Sequence, residues 1–430
     1  MSKTHRILIL GGGFGGLYTA LELEKKLAEY PNVEVTLVNR ENFFLFTPML
    51  HEVAAADLDL TNIVNPVRKL LRKVDFFAGE VEAIDLAERT VTVSHGFVRH
   101  AHEMKFDQLV LGLGSSTNFF HLPGLEEHAL TMRSLSDAIN LRNRVIALLE
   151  EAETECAHST VRKALLTFVV AGGGFAGVET IGSINDFVHE CLRFFPNIRQ
   201  DNIRMVLVHR GPVLLPELSS SLGQYTQESL RQRGIEVRLN TKVEGYVDGK
   251  VVLSDGSAFL TQTLVWTAGT TAHPLIAALP CAKEGGRIIV DDTLEVKGLP
   301  NVWAIGDCAL VPDRTTGKYY PPTAQNALRQ GRVLAQNMLA TVAGESRKPF
   351  SFETLGQLAT IGRRTGVANI LGKNFQGFLA WWLWRTIYLS KLPRLEKKVR
   401  VALDWTLDLL FSKDLVQYVT LRPTKPVSKS

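Results

Sequence analysis

The chain has 430 residues, of which 45% are hydrophobic and 21% are charged, and its formal net charge is only +4. This composition excludes an intrinsically disordered chain, gives no charge excess for binding nucleic acid, and fits two or three globular domains. The sequence contains no apolar run long enough for a transmembrane helix. So few residues precede the first predicted strand that we also expect no signal peptide.

The four cysteines are far apart in the sequence and form no C-x-x-C pair; they are Cys156, Cys191, Cys281 and Cys308. This spacing argues against a disulfide framework, a zinc site and a dithiol redox centre. We therefore expect no bound metal.

The first predicted elements are a strand, a glycine turn and a helix. The apolar strand Arg6–Leu10 runs into GGGFGG, in which Gly11, Gly13 and Gly16 fill the pattern G-x-G-x-x-G. The first glycine allows a tight turn, the second lets a pyrophosphate approach the backbone, and the third lets the helix pack on the strand. The helix N-terminus adds N–H groups and a positive dipole. A second strand, VEVTLVNR, follows, so the stretch predicts a dinucleotide-binding βαβ unit.

The same arrangement recurs in the middle of the chain. The strand Thr167–Ala171 runs into a second G-x-G-x-x-G pattern formed by Gly172, Gly174 and Gly177. A long helical stretch and the strand RMVLVHR follow it. Two such units predict two bound dinucleotides, and two dinucleotides in one chain indicate electron transfer between them.

Both units lack the acidic residue that usually ends the second strand and binds the ribose hydroxyls. The first unit ends in Asn39–Arg40, where Asn39 can bond a ribose hydroxyl and Arg40 can lie over an adenine ring. The second unit ends in His209–Arg210, and an arginine at this position can accommodate a 2′-phosphate. The second site therefore does not decide whether the electron donor is NADH or NADPH. The alternative is that Arg210 only faces solvent and contacts no cofactor.

A further nucleotide signal lies near residue 300. LPNVWAIGDCA predicts a strand that ends at Gly306–Asp307. It resembles the second FAD signature of flavoproteins with two dinucleotide-binding domains, in which the aspartate contacts the ribityl and pyrophosphate part of FAD. Two other strand–glycine turns, which contain Gly114 and Gly269, resemble the links between the two domains of that group.

The C-terminal part predicts two helices separated by Pro393. The first, FQGFLAWWLWRTIYLSKL, is apolar and rich in tryptophan. The second has basic residues at its start, namely Arg394, Lys397, Lys398 and Arg400. It also has apolar residues at helical spacing, namely Leu395, Val399, Leu403, Leu407 and Leu410. A basic amphipathic helix beside tryptophans is typical of a segment that lies in a membrane interface. The alternative is that Trp381, Trp382 and Trp384 belong to a packed core helix.

These signals predict an α/β fold with two Rossmann-like dinucleotide-binding domains and a C-terminal helical segment that associates with a membrane. We expect a discontinuous FAD domain with the NAD(P)H domain inserted into it. The predicted bounds are 1–115 and 290–345 for the FAD domain, 116–289 for the NAD(P)H domain and 346–430 for the C-terminal domain.

Over nearly its whole length the chain resembles the type II NADH dehydrogenases, which are single-subunit, non-pumping NADH:quinone oxidoreductases. The resemblance lies in four stretches: NFFLFTPMLHEVAAADLD, GGGFAGVE, PPTAQNALRQG and the tryptophan-rich tail. It implies one non-covalently bound FAD per chain, NADH or NADPH as electron donor and a quinone as acceptor. It also implies a homodimer attached as a peripheral protein to the cytoplasmic face of the inner or plasma membrane.

The resemblance implies roles for individual residues as well. Glu179 orders the region of the nicotinamide, flavin and quinone or takes part in proton delivery, and Gln325 contacts the quinone or the flavin. Thr47 and Ala324 belong to stretches that lie along the flavin. Where the family often has a second glutamine one helical turn later, this chain has Arg329, which shares a helix face with Gln325. Arg329 either bonds a quinone carbonyl or excludes that quinone.

Three alternatives remain at this stage. A sulfide:quinone oxidoreductase shares the fold and the anchor, but it needs cysteines at the flavin, which the spacing of the cysteines does not suggest. A non-catalytic flavin-binding sensor would not need the intact glycine turns, Asp307 and Glu179. A soluble NAD(P)H–ferredoxin-type reductase would not need the tryptophan-rich basic tail.

Overall fold

In a computed structural model of the chain, residues 4–157 and 159–418 are described. Within them, the backbone contacts divide the chain into two units. The first unit comprises residues 4–45, 64–118 and 270–354, and the second comprises residues 46–63, 119–269 and 355–418. The last twelve residues of the predicted C-terminal domain lie outside the described residues.

The first unit is built on a parallel five-stranded sheet with the order Val302–Ala304, Gln108–Leu111, His5–Leu10, Val33–Asn39 and Asp75–Ala78. The central strand is buried from Ile7 to Leu10, as expected for a strand covered on both faces. The chain continues from it to Val33–Asn39 on one side and later returns to Gln108–Leu111 on its other side. This strand is therefore the point where the order of the sheet reverses, and such a point is where α/β sheets bind ligands.

The other elements of the first unit are mostly short. Its further strands are Phe43–Leu45, Val64–Pro66, Glu80–Asp85, Thr90–His95, His100–Lys105, Ser115–Thr117, Thr270–Ala272, Lys283–Glu284, Arg287–Ile289, Ala309–Leu310, Pro312–Asp313 and Lys318–Tyr319. Its α-helices are Phe14–Lys26, Val67–Leu70, Pro274–Ala278 and Ala324–Ala343, and its 3₁₀-helices are Leu27–Glu29 and Gly306–Cys308.

The second unit contains a parallel four-stranded sheet with the order Ile235–Arg238, Arg204–Val208, Thr167–Ala171 and Thr263–Trp266. The strand that precedes the second glycine turn is again internal, with Arg204–Val208 on one side and Thr263–Trp266 on the other. With a parallel sheet in each unit, the predicted α/β class is confirmed.

The remaining strands of the second unit are Val243–Val247, Lys250–Leu253, Ala258–Leu260, Gly356–Gly362, Thr365–Ile370 and Lys373–Gly377. Its α-helices are Leu50–Ala54, Leu125–His128, Leu135–Thr154, Thr160–Leu165, Phe175–Cys191, Ser220–Gln232, Phe378–Lys391 and Leu395–Leu407. Its 3₁₀-helices are Thr47–Met49, Leu192–Phe194 and Gln200–Asn202. Among the described helices, none combines the length and the hydrophobicity needed to cross a bilayer.

The limits of the two units differ from the predicted domain bounds because strand pairing and helix packing override the order of the chain. The strand Thr270–Ala272 pairs with Ser115–Thr117 and so belongs to the first unit. The C-terminal strands and helices pack with the second unit. A Cβ on Gly182 of helix Phe175–Cys191 would overlap the backbone of Ile361, so this helix lies directly against strand Gly356–Gly362.

The tryptophans of helix Phe378–Lys391 differ in their burial. Trp381 and Trp384 are buried, whereas Trp382 is 51% exposed. In helix Leu395–Leu407, Lys397 is buried and donates to the carbonyl oxygen of Thr61 at 2.6 Å. The expectation that Lys397 belongs to an exposed basic cluster is therefore wrong, because its ammonium group is used inside the protein.

Helix Phe14–Lys26 and helix Ala324–Ala343 approach each other at glycines. A Cβ on Gly331 would lie 2.5 Å from the carbonyl oxygen of Gly15 and 2.9 Å from the backbone nitrogen of Thr19. Both neighbours are backbone atoms and cannot rotate away. Gly331 therefore sets the distance between the helix that follows the first glycine turn and the helix that carries Gln325 and Arg329.

We expect Gly331→Ala to lower the melting temperature. Overpacking costs about 1–3 kcal/mol, which exceeds the gain of about 1 kcal/mol in helix propensity from glycine to alanine. Gln336→Ala, at an exposed position of the same helix, is the matched control and should change stability by less than about 0.5 kcal/mol. A Gly331→Ala protein that melts at or above the wild-type temperature would contradict this packing.

Candidate functional site

The first glycine turn joins strand His5–Leu10 to helix Phe14–Lys26. Gly11 has a φ of +99°, and a Cβ on it would overlap the carbonyl of Gly112. A Cβ on Gly16 would overlap the carbonyl oxygen of Gly11, so the strand and the helix touch here. A Cβ on Gly13, at the helix N-cap, would meet no atom from another part of the chain within 4 Å. The fold itself thus requires Gly11 and Gly16, whereas Gly13 leaves room for a ligand at the helix N-terminus.

Asn39, at the end of the second strand, forms a side-chain hydrogen bond with the first glycine turn. Its Oδ1 accepts the backbone N–H of Gly12 at 2.8 Å, and its Nδ2 donates to the carbonyl oxygen of Glu41 at 2.7 Å. Both ends of the amide are thus bonded to the protein. The neighbouring Arg40 is exposed and pairs with Glu41 at 3.2 Å. Contacts of Asn39 with a ribose and of Arg40 with an adenine stay predictions.

Gly306 and Asp307 lie at the end of strand Val302–Ala304, where the FAD signature was predicted. Gly306 has a φ of +70°, and its backbone N–H donates to Oε1 of the buried Gln330 at 2.8 Å. Asp307 accepts the hydroxyl of Ser115 at 3.0 Å, next to Gly114, whose φ is +72°. Ser115 and Gln330 were not predicted as site residues, although Ser115 follows Gly114 and Gln330 lies within the stretch PPTAQNALRQG.

Gln325 and Arg329 lie one turn apart on helix Ala324–Ala343, which begins with Thr323 as its N-cap, so the predicted shared face is confirmed. Nη1 of Arg329 donates to the backbone carbonyl of Gln325 at 3.0 Å, and its guanidinium lies 3.8 Å from the centre of the Phe352 ring. This cation–π contact fixes the direction of the arginine. The role of Phe352 left no signal in the sequence.

These residues fit an FAD molecule. The open N-terminus of helix Phe14–Lys26 suits a pyrophosphate, because its N–H groups and dipole favour negative charge. The carboxylate of Asp307, fixed by Ser115, can accept bonds from sugar-chain hydroxyls. The glycines at 11, 13 and 16 and the pair Gly306–Asp307 all belong to the first unit.

The second glycine turn has the same construction on strand Thr167–Ala171 and helix Phe175–Cys191. Gly172 has a φ of +121°, and a Cβ on Gly177 would overlap the carbonyl oxygen of Gly172. A Cβ on Gly174, at the helix N-cap, would likewise meet no atom from another part of the chain within 4 Å. Gly269, with a φ of +105°, ends the loop that follows strand Thr263–Trp266.

His209 has the same role in the second glycine turn as Asn39 has in the first: its side chain accepts a backbone N–H of the turn. Its Nδ1 accepts the backbone N–H of Gly173 at 3.1 Å, so the ring is neutral and carries its hydrogen on Nε2. Burial lowers the pKa of His209, which agrees with a neutral ring. The adjacent Arg210 is exposed at the end of this strand.

Glu179 lies on the second turn of helix Phe175–Cys191, and its side chain is only 12% exposed. Its Oε1 accepts the indole N–H of Trp384 at 3.2 Å and the backbone N–H of Thr360 at 3.4 Å. Burial raises the pKa of Glu179 to about 8, against which these two hydrogen bonds act only partly. Glu179 is therefore a neutral carboxylic acid at pH 7.

His51 lies beside this carboxylic acid. Its Nε2 is 3.9 Å from Oε1 of Glu179, and its Nδ1 is 2.9 Å from Oγ of Ser183. Burial lowers the pKa of His51 to about 4, so its imidazole is neutral. His51 and Ser183 were not predicted from the sequence, since they are 132 residues apart in the chain.

Glu52, the next residue, is a second buried carboxylic acid. Its Oε2 accepts the indole N–H of Trp405 at 3.2 Å, and its Oε1 lies 3.9 Å from Arg385. The Arg385 guanidinium lies over the rings of Trp381 and Trp405. Burial raises the pKa of Glu52 to about 8 despite the nearby Arg385.

The structure thus divides the predicted site residues between the two units. The first unit holds Gly11, Gly13, Gly16, Asn39, Arg40, Gly114, Gly306, Asp307, Ala324, Gln325 and Arg329. The second unit holds Thr47, Gly172, Gly174, Gly177, Glu179, His209, Arg210 and Gly269. Thr47 lies in the 3₁₀-helix that leads into helix Leu50–Ala54, which carries His51 and Glu52.

Comparisons with known proteins agree with this geometry. The family model of pyridine nucleotide-disulphide oxidoreductases matches residues 5–331, and that of the NDH2 C-terminal domain matches residues 355–414. A Dictyostelium discoideum protein described as a probable NADH dehydrogenase is 33% identical, over 97% of this chain and 92% of its own. The type II NADH:quinone oxidoreductase Ndh of Mycobacterium tuberculosis is 31% identical, over 96% of this chain and 89% of its own.

A solved structure has the same fold. NDH2 from Plasmodium falciparum, determined in complex with NADH, superposes with a TM-score of 0.89 at 20% identity. The superposition covers 96% of this chain and 100% of that chain.

The family model over residues 5–331 and the two parallel sheets, each with a glycine turn after an internal strand, place the chain in the class of the pyridine nucleotide-disulphide oxidoreductases. Within that class, the chain belongs to the type II NADH:quinone oxidoreductase family, as the sequence resemblance predicted. The relatives favour this reading over a sulfide:quinone oxidoreductase, a sensor or a ferredoxin-type reductase.

We expect Glu52→Gln to stabilise the protein increasingly as the pH rises. The pKa of Glu52 is about 8 in the folded protein and 4.5 in the reference state, so the folded state binds the proton more tightly. Its stabilising contribution is complete below pH 4.5 and is lost as the pH rises through 8. Glutamine keeps the acceptor for Trp405 and cannot ionise.

The measurement is the melting temperature of both proteins at pH 5 and pH 8. The difference in favour of Glu52→Gln should be larger at pH 8. Glu150→Gln, at an exposed position of helix Leu135–Thr154, is the control and should change stability little at either pH. An equal difference at both pH values would mean that Glu52 does not hold a proton at neutral pH.

Proposed function

We propose that this protein oxidises NADH and reduces a quinone through one non-covalently bound FAD. The observation that carries the proposal is the pair of glycine turns, each with an open helix N-terminus and each in its own unit. When bound, FAD supplies the conversion of a two-electron hydride donor into a donor of two electrons to the quinone. The printed names of the relatives, which are NADH dehydrogenases and NADH:quinone oxidoreductases, support the same assignment.

The residues of the first unit would hold FAD. Gly13 admits the pyrophosphate to the N-terminus of helix Phe14–Lys26, and Asp307 accepts hydroxyls of the ribityl chain. Gln325 and Arg329, which share one helix face, would contact the flavin ring or the quinone. The guanidinium of Arg329 stacks on Phe352, and this contact favours a fixed donor over a mobile surface charge.

The residues of the second unit would bind NADH and hold a proton. Gly174 leaves the N-terminus of helix Phe175–Cys191 open for the pyrophosphate. Glu179 is a neutral carboxylic acid at pH 7, so it can donate a proton to a reduced quinone oxygen. No nucleophile is needed, because the protein contributes binding, orientation and electrostatics.

We propose NADH as the preferred donor and NADPH as a second substrate. The neutral His209 bonds to the turn itself and offers no charge to a 2′-phosphate. The exposed Arg210 beside it can pair with that phosphate.

We further propose that the protein binds a membrane surface through its C-terminal helices. Leu395, Val399, Leu403 and Leu407 follow one another at every fourth position and are 42–76% exposed. Trp382 and Phe378 of the preceding helix are also exposed. An uncovered apolar stripe of this kind fits the acyl boundary of a bilayer. Homodimer formation and attachment to the cytoplasmic face rest on the family resemblance.

The proposed activity is tested with purified flavin-loaded protein, with a short-chain quinone as acceptor and with NADH, NADPH or sulfide as electron donor. We expect NADH to reduce the flavin and the quinone to reoxidise it, with one quinol formed per NADH. Arg210→Glu should raise the KM for NADPH about tenfold, the effect of about 1.4 kcal/mol, and leave the KM for NADH nearly unchanged. Quinone reduction by sulfide without oxidation of nicotinamide would refute the proposal.

The membrane proposal is tested by sedimentation with vesicles of phosphatidylcholine and phosphatidylglycerol. We expect Val399→Glu to lower the vesicle partition coefficient about tenfold or more, because the loss of one buried valine costs about 1.5 kcal/mol. Val161→Glu is the matched control, since Val161 is 52% exposed and Val399 is 60% exposed, on different helices. Equal binding of both variants would mean that the stripe does not contact the lipid.

A further inference from the structure

The second unit has a cavity of about 610 Å³ where helix Phe175–Cys191 ends. Side chains between Asn185 and Arg193 line one side of this cavity, and residues 408–412 line another side. We call it the C-terminal cavity. Its volume is within the range of about 300–1,000 Å³ that small-molecule sites occupy. None of the described residues that line it belongs to a glycine turn or to the group around Glu179, so it is a candidate site for a further ligand.

The polar wall of the C-terminal cavity carries fixed charges of both signs. Its arginines are Arg193, Arg233 and Arg363, and its acids are Asp186, Glu190 and Asp408. Each arginine pairs with at least one of these acids. A wall whose cations and anions balance gives no net attraction for a single ion, but it complements a molecule that itself carries one charge of each sign.

Three polar atoms at this wall have no hydrogen-bond partner among the described residues. They are Oδ1 of Asn185, Oδ1 of Asp408 and Nε of Arg233. Asn185 is 4% exposed, and the side chain of Asp408 is 7% exposed. Because buried polar atoms normally have a partner, two acceptors and one donor remain for a ligand. The ligand that fits them has both N–H donors and an anionic oxygen.

Asp408 favours an ammonium group as the N–H donor. Burial raises the pKa of its carboxyl, and the nearby cations Lys413 and Arg363 offset this only in part. Arg363 approaches one carboxylate oxygen, with Nη2 at 3.5 Å from Oδ2. A ligand ammonium at Oδ1 would stabilise the ionised carboxylate by a charge-assisted hydrogen bond, which is stronger than a bond from a neutral donor.

The fold holds the cations of the polar wall in place before a ligand binds. Asp186, the partner of Arg233, also accepts the backbone N–H of Arg363 at 2.5 Å. The guanidinium of Arg193 lies 4.9 Å from the centre of the Phe194 ring, while half of its side chain is exposed. Groups that are already fixed lose less conformational entropy on binding, so this wall is preorganised for a ligand.

The other wall of the C-terminal cavity is largely apolar and continues the exposed stripe of helix Leu395–Leu407. Leu409, Leu410 and Phe411 line the cavity and are 52–74% exposed. The backbone N–H groups of Leu410 and Phe411 both donate to the carbonyl oxygen of Leu407, the last residue of the stripe. The cavity thus adjoins the proposed lipid-facing surface. Acyl chains can lie against its apolar wall while a lipid headgroup enters it.

We propose that the C-terminal cavity binds the headgroup of a phosphatidylethanolamine molecule of the membrane. The phosphate lies against the guanidinium groups of Arg193 and Arg233, and the ammonium donates to Oδ1 of Asp408 and Oδ1 of Asn185. This headgroup carries one charge of each sign, as the balanced wall requires, and its primary ammonium has N–H donors for both oxygens. The inference rests on the proposed membrane attachment and adds to it the choice of lipid.

The headgroup proposal is tested by sedimentation of the full chain with vesicles of constant phosphatidylglycerol content. The remaining lipid is phosphatidylcholine, N,N-dimethylphosphatidylethanolamine or phosphatidylethanolamine with the same acyl chains, so only the number of N–H donors differs. We expect the vesicle partition coefficient to rise in this order by about tenfold in all, the effect of about 1.4 kcal/mol. Equal partition into all three kinds of vesicle would overturn the inference, because the quaternary ammonium of phosphatidylcholine cannot donate a hydrogen bond.

Two variants remove the two halves of the proposed site. Asp408→Asn removes the charge that pairs with the ammonium, and Arg193→Gln removes a cation from the phosphate. Each should lower the ratio of partition into phosphatidylethanolamine and phosphatidylcholine vesicles from about tenfold to about twofold or less, because a hydrogen bond to a charged group is lost. Asp255→Asn and Arg144→Gln, at exposed positions of the same unit, are the matched controls and should keep the tenfold ratio. A wild-type ratio in both cavity variants would contradict the proposed site.

Competition with soluble compounds separates a lipid site from a simple anion site. We expect glycerophosphoethanolamine to lower the binding to phosphatidylethanolamine vesicles, and inorganic phosphate at the same concentration to leave it unchanged. Equal competition by inorganic phosphate would mean that the cavity only binds anions, and the headgroup proposal would be wrong.

Flavin content and melting temperature identify variants that do not fold. If Asp408→Asn is one of them, Arg193→Gln decides, because its side chain is half exposed. A wild-type protein that binds none of the vesicles overturns the proposed membrane attachment and with it this inference. Binding to all vesicles without a preference overturns this inference alone, so the two failures are distinguishable.

Discussion

The tight contact between a strand and the helix that follows it is the constraint on which both nucleotide sites depend. In each unit the third glycine of the turn lies against the carbonyl oxygen of the first, so neither position has room for a side chain. This contact directs the N-terminus of the helix to the carboxyl end of the central strand, where the order of the sheet reverses. Gly13 and Gly174 then stand at open positions, and the open space marks where a phosphate can be held by backbone N–H groups alone.

The sequence predicted these turns because their signal is local. The apolar strand, the glycine pattern and the helical pattern lie within about fifteen consecutive residues. The conformation of these residues therefore depends little on contacts with distant parts of the chain. The partners at the ends of the second strands were harder to predict. Asn39 was expected to bond a ribose hydroxyl, and in the structure both Asn39 and His209 accept the N–H of the middle glycine of their turns. An acceptor side chain at the end of the second strand can form a hydrogen bond with a ligand or with the glycine turn. The sequence does not distinguish between these two partners.

The group around Glu179 lay beyond sequence reasoning because its members come from three distant segments. Trp384 is 205 residues from Glu179, and Trp405 is 353 residues from Glu52. The sequence around His51 and Glu52 contains no pattern that predicts contact with the tryptophan-rich C-terminal helices. The apolar stripe of helix Leu395–Leu407 was predictable, since its four-residue spacing is periodic. Which tryptophans are buried was not, because Trp381 and Trp384 share their helix with the exposed Trp382.

The indole donors of Trp384 and Trp405 have a consequence for how the C-terminal region can be handled. Each indole hydrogen bond ends on a buried carboxyl, at Glu179 or at Glu52. A shortened protein that stops before Phe378 would lose both donors, the cover over both acids and the environment that keeps them protonated. The C-terminal helices are therefore part of the environment of both buried acids, and a shortened protein would differ from the full chain in the protonation of Glu52 and Glu179.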